Sequence, residues 1–95
     1  VRQQKMIIIR NIRFNMKLLS ILRYIAKDKK SAAVDFESGL NKKINDLAYF
    51  PLKYRASFYF EDKAYRDMTY QGYIIIYKVE KEKILILEIF KWLNK

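Results

Sequence analysis

The chain has 95 residues, with twenty Lys+Arg against ten Asp+Glu for a formal charge of +10, and it contains no cysteine and no histidine. That length gives one small domain with a single core, and the missing residue types exclude disulfide scaffolds, thiolate or imidazole metal sites, cysteine nucleophiles and histidine acid–base chemistry. At 52% hydrophobic and 16% aromatic residues the chain is too apolar to be disordered, yet no apolar run approaches the ~20 residues that span a bilayer, so a soluble protein is expected. The charge favours a polyanion or an acidic protein as partner, although a lysine-biased composition alone also produces such a surface.

A single domain is expected over residues 1–95, with residues 1–5, polar and basic, as a tag or disordered extension ahead of a start at Met6. Residues 6–9 are a short apolar run with three β-branched isoleucines, the pattern of a strand covered on both faces. From 12 to 27 the positions Phe14, Leu18, Ile21, Leu22 and Ile25 recur at helical spacing, with Leu19 and Ala26 widening the stripe and Arg13, Lys17 and Arg23 mostly outside it. Lys27-Asp28-Lys29-Lys30 interrupts the pattern. Ser31 is then the expected N-cap of a second helix, with an inner face of Ala33, Phe36, Leu40, Ile44 and Leu47. Gly39 lies inside that helix, where it costs ~1 kcal/mol relative to alanine, and its lack of a side chain would let the two helices approach closely. Phe50-Pro51 ends the helix, and the short polar link predicts an antiparallel helical hairpin.

Beyond Pro51 the period becomes that of a strand. Tyr54, Ala56, Phe58 and Phe60 alternate with Arg55, Ser57 and Tyr59, and Glu61-Asp62-Lys63 makes a polar turn. Residues 65–79 read as a hairpin, with Gln71-Gly72 at the reversal. Arg66 stands out on its first arm, either as a target contact or as the partner of Asp67, Glu88 or Glu61. Glu80-Lys81-Glu82 turns the chain into a last strand, 83–90, on which Ile84, Ile86, Glu88 and Phe90 face one way and Leu85, Leu87 and Ile89 the other. The last two strands are apolar on both faces, so a second cover is expected over the sheet: the tail with Trp92 and Leu93, a second copy, or a partner.

In this order and spacing the chain resembles the RelE/ParE superfamily of toxins from bacterial type II toxin–antitoxin systems. The likeness is carried by Tyr24-Ile-Ala-Lys-Asp28, Ala32-Ala33, Phe36, Leu40, Ile44 and Leu47 with Phe50-Pro51, Tyr54-Arg55, Tyr65-Arg66-Asp67-Met68, Gly72-Tyr73-Ile-Ile-Ile-Tyr77-Lys-Val79 and Ile86-Leu87-Glu88-Ile89-Phe90. It covers nearly everything from Met6 onward. The fold it implies is α+β, an N-terminal strand and α-helical hairpin packed on an antiparallel β-sheet meander.

The resemblance implies a growth-inhibiting toxin, of the kind that serves plasmid stabilisation, neutralised by a cognate antitoxin. The superfamily divides by target: the ParE-like branch inhibits DNA gyrase, and the RelE-like branch cleaves messenger RNA, in the ribosome or as a free endoribonuclease. Many of the nucleases carry Arg, His or Tyr near the end of the last strand; here that stretch reads Phe90-Lys91-Trp92-Leu93-Asn94-Lys95. Lysine, with an ordinary pKa near ~10.4, is a poor general base there. The Arg66-Asp67-Met68 segment and the Phe50-Pro51 to Arg55 approach resemble the ParE-like branch more closely, so gyrase inhibition is favoured, with a metal-independent ribonuclease as the alternative and a non-toxic basic RNA- or protein-binding module as a third reading. No cofactor, metal or membrane is implied.

The candidate target-binding residues are Lys53, Arg55, Arg66, Lys78 and Lys91. In a ribonuclease Arg55, Arg66 and Lys91 would hold the phosphate, helped by Tyr70 or Tyr77. Tyr73 and Tyr77, set among isoleucines, read as packing residues, whereas Tyr54, Tyr59, Tyr65 and Tyr70 also suit single-stranded nucleic acid. The candidate antitoxin contacts are Ile84, Ile86, Phe90 and Trp92.

Overall fold

Asn11 sets the start of the first helix. Its side-chain Oδ1 accepts the Arg13 N–H at 2.7 Å, and its own N–H donates to the Ile86 carbonyl, so the cap is fastened to the sheet. The structure, a computed structural model, describes residues 5–92; positions 1–4 of the expected extension at 1–5, and Leu93 in the tail, lie outside the described residues. The elements are β1 (Ile7–Arg10), α1 (Ile12–Asp28), α2 (Lys30–Asp46), β2 (Tyr65–Tyr70), β3 (Tyr73–Val79) and β4 (Lys83–Lys91). They form an α+β fold in which the helical hairpin covers a four-stranded sheet of order β1-β4-β3-β2. β2, β3 and β4 make the antiparallel meander, while β1 lies parallel to β4, a pairing that a tight turn cannot make and that the intervening elements of the chain allow.

The joint between the helices is a single residue. Lys29, in extended geometry, donates its N–H to the Ile25 carbonyl and so closes α1, while its own carbonyl accepts from Ala32 and Ala33 and so opens α2. Ser31 consequently falls inside α2 and does not cap it, because Lys29 already occupies the N-cap position without a side-chain bond.

Both helical stripes face the sheet as their spacing predicts. Phe14 and Leu18 from α1 and Phe36, Leu40 and Ile44 from α2 meet Met68, Tyr70, Ile75, Tyr77, Ile84, Ile86 and Ile89 in one buried cluster, with Leu47 beyond the end of α2. Leu19 is exposed, outside the stripe. Gly39 serves a different approach from the expected one. It makes room for Tyr70 of the sheet: a Cβ there would overlap the Tyr70 hydroxyl, which donates to the Phe36 carbonyl at 3.0 Å.

Gln71 and Gly72 both have positive φ, 46° and 85°, the two-residue turn whose twist suits a hairpin. On the next strand pair Ile76 faces Glu88 and Tyr77 faces Ile86, so Leu87 is an extra residue in β4. This bulge corrects the expected alternation. Past it the faces exchange, and Ile89 joins Ile84 and Ile86 in the core instead of pointing away from them.

Two further expectations are overturned. Residues 54–60 do not form a strand; a single bridge, Ala56 with Arg66, is all that pairs there, and Phe58, Tyr59 and Phe60 are exposed. Strand β1 is not covered on both faces either, since Ile7 and Ile9 are 63% and 43% exposed. The second face of the sheet is sealed at its centre by the loop between α2 and β2. The Tyr59 ring meets Phe90 edge-on at 5.4 Å, the Phe58 backbone N–H donates to Asp67, and Ile74 and Ile76 are buried.

Candidate functional site

The loop over residues 50–64 is short of regular structure, so its backbone groups need partners, and three side chains of the sheet supply them. Arg66 donates through Nη1 to the Tyr54 carbonyl at 3.0 Å and through Nε to the Lys63 carbonyl at 3.1 Å. Asp67, almost wholly buried, accepts the Phe58 N–H at 3.1 Å and has the Arg55 guanidinium 3.5 Å from the same oxygen. Tyr77 donates its hydroxyl to the Pro51 carbonyl at 2.9 Å. Arg66 and Asp67 are adjacent on a strand and point to opposite sides, so one pair of residues ties down both the ends and the crown of the loop.

What the clamp holds in place is an apolar and aromatic surface. Tyr49, Phe50, Leu52, Phe58, Tyr59 and Phe60 are all exposed, Phe58 by 77%. Arg55 stacks 3.9 Å over the Phe58 ring, and Phe60 stacks on Tyr65 at 4.1 Å. A shallow apolar cavity of about 540 Å³ opens at Phe50, Pro51, Leu52 and Lys53. Exposed aromatics that are already rigid lose little entropy on contact, which makes such a surface suited to binding.

The predicted target-binding cations divide into groups. Lys53 and Arg55 lie on the loop; Lys53 bonds Asp46 at 3.1 Å, and that hydrogen bond raises its pKa. Arg66 is no ion-pair partner of Asp67, Glu88 or Glu61 among the described contacts, being taken up by backbone carbonyls. Lys78 lies 5.3 Å over the Tyr65 ring and 3.5 Å from Glu80. Lys91 is elsewhere. It pairs with Tyr73 at the hairpin end, four residues along β3 from Tyr77, the partner of Arg66. Four strand residues span about 13 Å, so Arg66 and Lys91 do not converge on one phosphate.

Nor do the two tyrosines join them. Tyr70 and Tyr77 are buried on the helix side of the sheet, both donating to backbone carbonyls. Burial pushes the Tyr77 phenol up from 10.0 to about 12. Its proton is therefore retained in the folded chain where an unfolded chain would release it. Stability is full below pH 10 and falls as pH rises from 10.0 towards 12, by an expected ~2–3 kcal/mol. Denaturant melts across that range should show the loss in the wild type and not in Tyr77→Phe; equal slopes in both would refute the assignment.

Of the predicted antitoxin contacts, Ile84 and Ile86 are fully buried in the core under the helices and present no surface. Phe90 is half-buried beneath Tyr59, while Trp92 is exposed. Residue spacing gave no sign of a second feature, a groove of about 480 Å³ between α1 and the end of β4, lined by Lys17, Ser20, Ile21, Tyr24, Tyr73, Ile89, Phe90 and Lys91. Beside it Glu88 takes Arg13 at 2.9 Å and Lys17 at 2.8 Å. Burial alone would push the Glu88 carboxyl up, but the two cations outweigh it and hold its pKa below the ordinary value.

The family model described as ParE toxin of type II toxin-antitoxin system, parDE, matches residues 9–91. The chain belongs to the ParE toxin family. Comparison with curated proteins returns no match. A ParE-family toxin has a cognate antitoxin as its partner. Among the described residues no helix of this toxin is long and apolar enough to cross a membrane, and no cluster of acidic side chains is arranged to hold a metal.

Proposed function

We propose that this toxin arrests growth in the cytoplasm by binding DNA gyrase, without breaking a bond itself. The observation that carries the reading is the state of the two candidate proton carriers. Tyr70 and Tyr77 are buried and hydrogen-bonded to backbone carbonyls, and general acid–base catalysis needs a group within hydrogen-bond reach of the substrate. Arg66, the other candidate, has its donors turned to the loop. The aromatic loop with Lys53 and Arg55 is the contact surface for the enzyme, since aromatic residues and Arg are the ones enriched at protein interfaces.

A second reading has one observation in its favour. The α1–β4 groove combines Lys17 and Lys91 with Tyr24 and Tyr73, a basic and aromatic lining that suits a single RNA strand. Inducing the chain without an antitoxin separates the two. Gyrase binding predicts growth arrest with relaxed plasmid topoisomers and intact transcripts. Arrest with normally supercoiled plasmid and newly cut messages would instead identify a ribonuclease.

A further inference from the structure

One face of α1 is basic along most of its length. Arg13, Lys17, Ser20, Tyr24 and Lys27 follow one another at intervals of three or four residues, which sets them in a single row about 21 Å long, and Asp28, the last residue, is the one acid in the helix. Tyr24 is 67% exposed. Lys91 of β4 lines the α1–β4 groove together with Lys17, Ser20 and Tyr24, and a second shallow cavity of about 570 Å³, at Tyr24, Ile25, Lys27 and Asp28, shares Tyr24 with it. Glu88 offsets part of the charge of Arg13 and Lys17. Lys27 and Lys91 are exposed, and among the described residues no acid lies within ion-pair reach of either. Phe90, which lines the groove, also meets Tyr59 of the aromatic loop at 5.4 Å, so the basic face and the aromatic surface adjoin through one side chain.

We propose that this face of α1, with Lys91, holds the phosphate backbone of the duplex DNA on which gyrase works, so that the toxin touches enzyme and DNA at once; this rests on gyrase being the target, since gyrase brings the DNA. Duplex DNA carries one negative charge per ~1.7 Å of its axis, so a row of cations along a helix meets phosphates at several points. The hydroxyls of Ser20 and Tyr24 are donors of the kind that bond phosphate oxygens. Base stacking is less well served. Tyr73 is half-buried and packed edge-on against Phe36 at 5.5 Å, which leaves Tyr24 as the one freely exposed ring of the groove. Backbone contact therefore suits the face better than the reading of unstacked bases. Such a grip is weak by itself and gains its effect in the complex, where a second contact on one assembly acts at high effective concentration.

The test measures binding of the full-length toxin to a labelled duplex of about 20 base pairs across a salt series, and inhibition of gyrase supercoiling by the same proteins. Lys27→Gln/Lys91→Gln is compared with Lys42→Gln/Lys81→Gln, which removes the same charge from α2 and from the turn between β3 and β4. All four side chains are exposed, so both variants should keep the fold, which a thermal melt checks. The first variant should bind the duplex about tenfold more weakly, with a salt slope shallower by about 2, and its inhibition of gyrase should fall in step, while the second stays within about threefold of the wild type. Equal losses in the two variants would mean that DNA responds to net charge alone, and the proposal would be wrong. It would also be wrong if the first variant inhibited gyrase as the wild type does, an outcome that leaves gyrase as the target. A wild type that does not impair supercoiling removes the gyrase reading and the DNA grip with it. A single RNA strand of the same length that binds more tightly than the duplex would assign the groove to RNA and overturn the proposal.

Discussion

Gly39→Ala is expected to destabilise the toxin by about 1–3 kcal/mol, even though alanine is the better helix former by ~1 kcal/mol. At this chain length that lowers the melting temperature by ~5–15 °C. The added methyl would overlap the Tyr70 hydroxyl, and Tyr70 has little room to yield: it is buried, bonded to the Phe36 carbonyl, and packed edge-on against the Phe36 ring at 5.1 Å. The effect should be specific to one oxygen. In the wild type Tyr70→Phe should cost about 1 kcal/mol, for a lost hydrogen bond. In the Gly39→Ala background it should recover stability, giving a coupling of ~1–2 kcal/mol. Denaturant melts of the four proteins measure it. Additive costs would mean that the helix and the tyrosine do not meet there.

Arg66→Ala should free the aromatic loop while leaving the core intact. It removes two charge-assisted bonds to the carbonyls of Tyr54 and Lys63, together worth about 2–4 kcal/mol of local stability, so trypsin cleavage at Lys53, Arg55 and Lys63 should accelerate by ~30- to 1000-fold. Arg66→Lys should not restore protection, because one ammonium cannot span both carbonyls. A loop that resists protease as well in Arg66→Ala as in the wild type would show that the clamp is elsewhere. Growth arrest should weaken in parallel with loop release, since the aromatic surface must be held in shape to bind without a further ordering cost.

The helices and the hairpin were legible because each is written in local pattern. Phe14, Leu18, Phe36, Leu40 and Ile44 repeat at helical spacing, and Gln71-Gly72 supplies two residues of positive φ between β-rich arms. The errors arose where tertiary contacts override local pattern. Residues 54–60 alternate like a strand, but the edge of β2 that would pair with them bonds the loop only at Tyr65 and Asp67, through Ser57 and Arg55, so the chain passes over the sheet instead of joining it. The bulge at Leu87 has no local signature, and it alone reverses the facing of Ile89. Gly39 was visible as an anomaly, yet its partner lies 31 positions away in Tyr70.

The candidate site was legible as a set of residues and not as an arrangement. Arg66 reads as a misfit among apolar neighbours, and in the structure its donors serve the carbonyls of the loop. Asp67, next to it, reads in the sequence only as an ion-pair partner for Arg66, although it anchors the Phe58 N–H and faces Arg55. The groove at Lys17 and Lys91 unites residues 74 positions apart, which no spacing rule brings together.

One purified reaction tests most directly whether this toxin works by binding. Toxin, gyrase, relaxed plasmid and a labelled messenger RNA are combined, and DNA topology and RNA length are followed together. Dose-dependent loss of supercoiling with full-length RNA is the expected result. Shortened RNA with supercoiling unimpaired would contradict it.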